Sequence, residues 1–417
     1  MSSTTAITTP VHGGLSQPVN RIVSEAGADW AGLAKVEVNE TDMTSLYRIA
    51  DGTLSPITGP MNETDFNSVL DNLYIERDGK KWAWSIPIML PVTDAEAKSL
   101  KVGDKVGLYA GGKLFGTLTV SSVYDWDKAR FIQKVYGTER TDHPGANLWL
   151  GDDRSKLVGG DIELTAFTDE RAFADRVMGP AQTRKLIESN GFEQSVAFQT
   201  RNPLHRAHEY ALVYGAEVIL RESGKKTGVI LNPLVGQLKG DDIPASTRME
   251  TYESLIAGRH LGDGDMDEEL WKSKGQDLND NLHLVGLDMR MYYGGPREAV
   301  MHAIYRQNLG FTHFIIGRKH ADAPFADGTA IWGDFDAQEI FDNLEGDLQI
   351  KTVNVGFAAF FEEIGRVGLM EENKENTSVF ISGTKVRSIL TSGELPDARI
   401  MRPSTAEILV AYYKANN

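Results

Sequence analysis

Ser195–Glu209 reads SVAFQTRNPLHRAHE. The apolar run Ser195–Phe198 stops abruptly at polar residues and a proline, as a short buried strand does at its end. His205 and His208 follow, three positions apart, where a helical pattern begins. That spacing puts two side chains on one helix face, so both imidazoles can point at whatever sits above the strand end. A helix start also presents unpaired N–H groups and the positive end of its dipole, which favour an anion. Strand, basic loop, histidine pair and helix start together predict a site for a phosphate chain.

The same rhythm continues outward from this stretch. Thr227–Leu231 reads as a strand and Ser246–Gly258 as a helix with Ser246 or Thr247 near its cap. Leu282–Leu287 is a third strand and Thr312–Ile316 a fourth. Between them Pro296–Asn308 is a helix with proline near its first turn and Gly310 just past its end, the usual asymmetry. Strand–helix alternation predicts a parallel sheet with helices on both faces and ligands at the carboxyl ends of the strands. The chain before about Thr165 differs. Short β-like runs (Trp84–Leu90, Lys105–Tyr109, Lys113–Val120) alternate with Gly- and Asp-containing turns, and one helical stretch, Asp94–Leu100, interrupts them. This predicts a mostly β module compatible with a small barrel. The expected organisation is therefore a β-rich domain over 1–168, an α/β domain over 169–331 and a small α+β domain over 332–417.

Composition narrows the function. With 417 residues, 41% hydrophobic and 24% charged, this is a soluble globular chain of two or three domains. No apolar run approaches the roughly 20 residues that span a bilayer, and the Ser/Thr-rich start lacks the features of a secretory signal. Cysteine is absent, which excludes disulfides and thiolate chemistry and fits a reducing cytoplasm. The net charge of −16 opposes nucleic acid and anionic membranes as partners. An anionic substrate must instead meet a local basic cluster.

The strand ends supply one. Gln199, Thr200, Arg201 and Asn202 follow the first strand, and Asn232, Pro233 and Lys239 the second. Arg290, Gly294, Gly295 and Arg297 follow the third, and Gly317, Arg318, Lys319 and His320 the fourth. Each has a bland alternative: helix histidines that merely face solvent, arginines in surface ion pairs, a Gly-Gly turn. Their joint occurrence at successive strand ends favours a site. No third ligand at a suggestive spacing accompanies the histidines, so no protein-bound metal is expected. GxxxxGK[ST] and GxGxxG are both missing, which disfavours a P-loop kinase and a dinucleotide dehydrogenase.

QTRNPLHRAHE (199–209), GGPREAVMHAI (294–304), THFIIGRKHA (312–321) and ISGTKVR (381–387) resemble the ATP sulfurylases in order and spacing across most of the chain. The resemblance implies a PUA-like N-terminal domain, a nucleotidylyltransferase-type α/β domain and a small C-terminal domain. No kinase-like extension follows Asn417, so the single-function form is expected. It implies the reaction of ATP with sulfate to give adenosine 5′-phosphosulfate and pyrophosphate, with Mg²⁺ accompanying ATP, in a homo-oligomer such as a dimer. Gln199, Arg201 and the backbone of Ala321 become sulfate contacts. Thr200, Arg201 and Asn202 become catalytic, and His205 and His208 touch the ATP phosphates and steady the transition state. Gln199–Asn202 also meet ATP, Gly317–His320 line it, and Phe357 and Phe360 lie near it. The family commonly has Gly-Arg-Asp-His where this chain has Gly317-Arg318-Lys319-His320, and Lys239–Asp242 only approximates Lys-Pro-Gly-Asp. In ISGTKVR, Ser382 and Thr384 can cap a helix from about Lys385. Two rivals stand beside this reading: a nucleotidylyltransferase acting on a phosphorylated organic acceptor, and an RNA-binding protein using the β-rich module.

Overall fold

The computed structural model describes residues 6–167, 173, 175–236 and 242–416. Its centre is a five-stranded parallel sheet built from β1 (Gln194–Phe198), β2 (Thr227–Leu231), β3 (Leu282–Leu284), β4 (His313–Ile316) and β5 (Lys351–Asn354), in the order β3-β2-β1-β4-β5. Val196 lies opposite both Val229 and His313, which fixes the register on either side of β1. Period-2 alternation then divides the strands between two cores. Val196, Phe198, Val229 and Leu231 face one, with α1 (Arg206–Ser223) and α2 (Ala245–Ala257) over it. Ala197, Ile230, Phe314 and Ile316 face the other, together with Ala299 and Ala303 of α3 (Gly295–Asn308). Helices therefore cover both faces, as parallel strands buried on two sides require.

Strand order reverses between β1 and β4, and the crevice outside such a reversal is where open α/β sheets bind ligands. The loops that leave β1 and β4 are residues 199–205 and 317–322, the two segments singled out by their chemistry. Topology thus brings together what lies more than a hundred residues apart in sequence.

Several expectations need correction. The α/β sheet does not stop at 331, because β5 adds its fifth strand from within the expected C-terminal unit. The N-terminal module holds five helices, Glu40–Ala50, Glu63–Asn72, Asp94–Ser99, Lys128–Tyr136 and Pro144–Leu150, instead of one. All five have an Asn, Asp or Thr at the N-cap accepting a backbone N–H, or proline in the first turn. Trp84–Leu90 is not a strand but a buried irregular segment between the short strands Lys80–Ala83 and Pro91–Val92. The main sheet of this module has six strands, and its described strands do not pair end to end into a closed barrel. Pro244, not Ser246 or Thr247, caps α2. The Ile7 and Thr9 N–H groups donate to the Phe192 and Gly310 carbonyls, so this segment packs on the α/β domain. Lys239 and the boundary at 168/169 lie outside the described residues.

The third unit contains β6 (Ala358–Phe361) in a three-stranded antiparallel sheet, then α4 (Gly383–Thr391) and α5 (Pro403–Asn416). It is tied to the start of α1. Arg206 donates to Asp265 at 2.6 and 2.8 Å, Asp265 also accepts the Val367 N–H at 2.8 Å, and Arg402 donates to Glu209 at 2.7 Å. Glu209 and Asp265 have no exposed side-chain surface. Among the described residues no helix is long and apolar enough to cross a membrane.

Candidate active site

A cavity of about 510 Å³ opens beside the β1–α1 loop. Asn202, His205, His208, Gly317, Arg318, Phe357 and Phe360 line it, seven of the residues expected from the sequence. His205 is the extended N-cap residue of α1, with φ −105° and ψ 166°, and so stands just before the helix. Its ring stacks on that of His208, with centroids 3.7 Å apart and planes 21° from parallel. Burial lowers the His205 pKa to about 4. Burial, and then the neighbouring His205, push His208 well below its usual value. Both imidazoles are therefore neutral at pH 7 while no anion is present. The N–H of Arg206 in the first turn is already taken by the Ile400 carbonyl at 2.8 Å, so the C-terminal unit closes part of the helix start.

Thr200 is buried. Its hydroxyl donates to the Asn202 carbonyl at 2.9 Å and accepts the Asn202 N–H at 3.1 Å. Tyr252 also donates to that carbonyl at 2.7 Å. This tight turn makes alternate residues diverge: Asn202 lines the cavity, while Arg201 reaches the loop after β4. The Arg201 guanidinium donates to the Asp322 carbonyl at 3.3 Å and lies 5.0 Å from the Tyr293 ring centre. Its Nη1 is buried without a hydrogen-bond partner, and the Asp242 carboxylate stands 3.8 Å away. On the other side of Ala321, His320 meets His302 at 2.9 Å, and His302 meets the Gln199 amide at 3.3 Å. Gln199 and Arg201, two of the three residues expected to contact sulfate, thus converge on residues 320–322, which include the third, Ala321.

This loop is strained. Tyr293, Lys319 and Ala321 all have positive φ (55°, 50° and 57°), a conformation that non-glycine residues adopt at a cost and that clusters at functional sites. Gly295, also at φ 50°, donates to the Ala321 carbonyl at 3.2 Å. A Cβ there would lie 2.4 Å from the Trp332 ring, so only glycine fits. Lys319 takes the place of the acid common in the family, yet an acid does face it. Asp334 bonds Arg318 at 2.8 Å and lies 3.5 Å from Lys319 Nζ, and its carbonyl accepts the Lys319 N–H at 2.9 Å. Arg318 further lies 4.8 Å from the Phe357 ring centre, and Phe357 packs on Phe380 at 5.6 Å. His320 does not line the cavity; half-buried, it packs against His302 and Phe314.

Not every basic residue at a strand end belongs to the site. Arg290 bonds Asp42 and lies 4.3 Å from the Trp149 ring, and Arg297 donates to the carbonyls of Val69, Leu70 and Ser85. Both dock the N-terminal module. Sequence reasoning missed Glu298 and His302, which a spacing of four on a helix buried on all sides could have flagged. It also set aside ISGTKVR, whose Ser382 caps α4 and whose Gly383, Val386 and Arg387 line the cavity.

A family model described as ATP-sulfurylase matches residues 175–412, and one described as PUA-like domain matches residues 10–166. The chain belongs to the ATP sulfurylase family. A sulfate adenylyltransferase of Pyropia yezoensis is 65% identical over 411 residues, covering 98% of each chain. Relatives with the same description in Halothermothrix orenii and Deinococcus radiodurans are 34% and 36% identical, covering 96% and 93% of this chain and 98% and 91% of their own. Among solved structures, one described as a hexameric APS kinase from Thiobacillus denitrificans superposes with a TM-score of 0.70 at 17% identity. It covers 96% of this chain and 68% of that one, a likeness of fold. The ATP sulfurylase match spans both loops that meet at the sheet's reversal.

Proposed function

We propose that this chain is a sulfate adenylyltransferase that joins ATP and sulfate into adenosine 5′-phosphosulfate by direct in-line attack, with release of pyrophosphate. The observation that carries it is the meeting of the β1 and β4 loops, which brings Gln199 and Arg201, with a buried unpartnered Nη1, to residues 320–322 near a cavity lined by His205, His208 and Arg318. Sulfate has no proton to remove, so no general base is needed. Catalysis consists of positioning and of neutralising charge on the α-phosphoryl oxygens and the leaving group. Arg201 orients sulfate, the histidine pair faces the phosphates, and Arg318 exchanges Asp334 for phosphate. Thr200 acts by shaping the turn that holds Arg201 and Asn202 apart. Phe357 and Phe360 wall the nucleotide. Mg²⁺ enters with ATP and neutralises phosphate charge; the cavity's imidazoles and guanidinium are poor ligands for so hard an ion, so phosphate oxygens and water would hold it. A reducing, cytoplasmic setting suits a chain without cysteine, and a homo-oligomer such as a dimer is the expected assembly. The test is a coupled assay for ATP from adenosine 5′-phosphosulfate and pyrophosphate: robust, magnesium-dependent ATP formation supports the reading, and none refutes it.

Two further results are expected. A hollow of N–H donors leaves the proton of hydrogen phosphate unmatched, at about 1–3 kcal/mol. Inorganic phosphate should therefore inhibit at least roughly tenfold more weakly than sulfate binds. Equal competition would contradict this. The second concerns protons. Because burial holds His205 near 4 and His208 well below its usual value, a polyphosphate beside them can only raise these pKa values. ATP binding should then take up protons and tighten as pH falls from 8 towards 6. Calorimetry in two buffers of different ionisation enthalpy reads the uptake directly, and His208→Asn should reduce it.

A further inference from the structure

Behind Gln199 lies a polar chain that the reaction does not require and that the core must nonetheless accommodate. Glu298 has no exposed surface. Its Oε1 accepts the Tyr292 N–H at 2.8 Å and lies 3.2 Å from His302 Nε2, while its Oε2 accepts the Gly294 N–H at 2.9 Å. His302, 1% exposed, has its Nδ1 2.9 Å from His320 Nε2. Gln199 Nε2 stands 3.3 Å from His302 Nε2, and Gln199 Oε1 is buried without a partner.

Burial raises the Glu298 pKa to about 7, and the Tyr292 and Gly294 N–H groups, one on each oxygen, oppose it by favouring the carboxylate. A carboxylate offers only lone pairs, so in that form His302 Nε2 carries the proton that faces Glu298. Its Nδ1 then accepts from His320. A protonated Nε2 cannot also accept from the Gln199 –NH₂. The two ends of an amide are nearly isosteric, and their hydrogen bonds decide which way it turns. Turned by 180°, Oε1 shares the His302 proton with Glu298, while –NH₂ takes the buried, partnerless position now held by Oε1 and is left as a donor for an oxyanion.

We propose that Glu298 and His302 are positioning residues that lock the Gln199 amide with its –NH₂ towards the oxyanion, and so set the preference for an oxyanion without a proton over one that carries one. The proposal rests on the reading that Gln199 contacts sulfate. A free amide turns its carbonyl oxygen outward as readily and accepts the proton of hydrogen phosphate; a locked one offers donors only.

The test compares sulfate KM, ATP KM and the inhibition constant of inorganic phosphate in the wild type, His302→Phe and Glu298→Gln. The phenylalanine keeps a ring in place and removes the donor. Glu298→Gln forces an amide donor against one of three N–H groups and is an independent disruption. Expected in either variant is a sulfate KM raised about tenfold, the scale of one hydrogen bond to an ion, with phosphate inhibition unchanged or stronger. His302→Gln, which retains a donor, should recover most of the sulfate-to-phosphate ratio. Sulfate and phosphate weakening in equal proportion would mean a packing defect and would overturn the proposal. Gln199→Ala separates the two levels: an unchanged sulfate KM there removes the underlying contact, whereas a raised one beside an unchanged ratio in the other variants removes only the lock.

Discussion

Replacing Arg201 by alanine is expected to lower turnover by roughly 10²-fold or more at saturating sulfate, the scale of losing one preorganised donor at a developing charge. The geometry argues for preorganisation over simple attraction. The guanidinium is fixed by the Asp322 carbonyl and by the Tyr293 ring, and one of its nitrogens is buried with nothing to donate to. An orphaned buried donor weakens the empty protein and strengthens its hold on whatever fills the space. Asp242, 3.8 Å away and itself with an unpartnered oxygen, balances the charge from outside hydrogen-bond range. A steady-state assay with ATP and sulfate both saturating reads the effect. Turnover within about threefold of wild type would remove Arg201 from the transition state.

The second large effect concerns stability. Asp265→Ala should destabilise the protein by about 3–5 kcal/mol, as breaking a buried ion pair from one side does. Asp265 accepts both Arg206 bonds and the Val367 N–H from a position with no exposed side-chain surface. Its loss strands Arg206, which sits beside His205 and packs 5.1 Å from the Phe360 ring. The nearby Arg402–Glu209 pair is under the same tension: burial raises the Glu209 pKa and Arg402 opposes it. The start of α1 and the third unit should therefore loosen together, with activity lost at temperatures where the wild type is intact. Urea unfolding of the variant measures the cost, and a change below about 1 kcal/mol would show that the network contributes little.

Much of the α/β domain was legible because its strands are short, apolar and bounded by turn signals. Thr227–Leu231 and the β1–α1 junction fall where the period predicts. The N-terminal module was less so. Trp84–Leu90 is apolar throughout, and periodicity alone cannot separate a buried strand from buried irregular chain. Lys128–Tyr136 is a nine-residue helix marked by the Asp127 cap and by Gly137, local signals outweighed by the surrounding β patterns. β5 was hidden because four residues, Lys351–Asn354, carry almost no pattern of their own. At the site, residue types pointed to anion chemistry, but charge alone could not tell Arg201 from Arg297. One reaches the loop after β4 and the other the N-terminal module, a distinction only the packing decides. Glu298 and His302 were overlooked for a related reason: polar residues on a helix are normally read as its solvent face.

In the proposed reaction sulfate itself attacks the α-phosphorus of ATP in the crevice between β1 and β4. Exchange of labelled pyrophosphate into ATP distinguishes this from a two-step transfer. The exchange is predicted to require sulfate, to need magnesium and to fall with Arg201→Ala. Exchange that runs at full rate without sulfate would mean that the adenylyl group moves first to another acceptor, and would contradict direct attack.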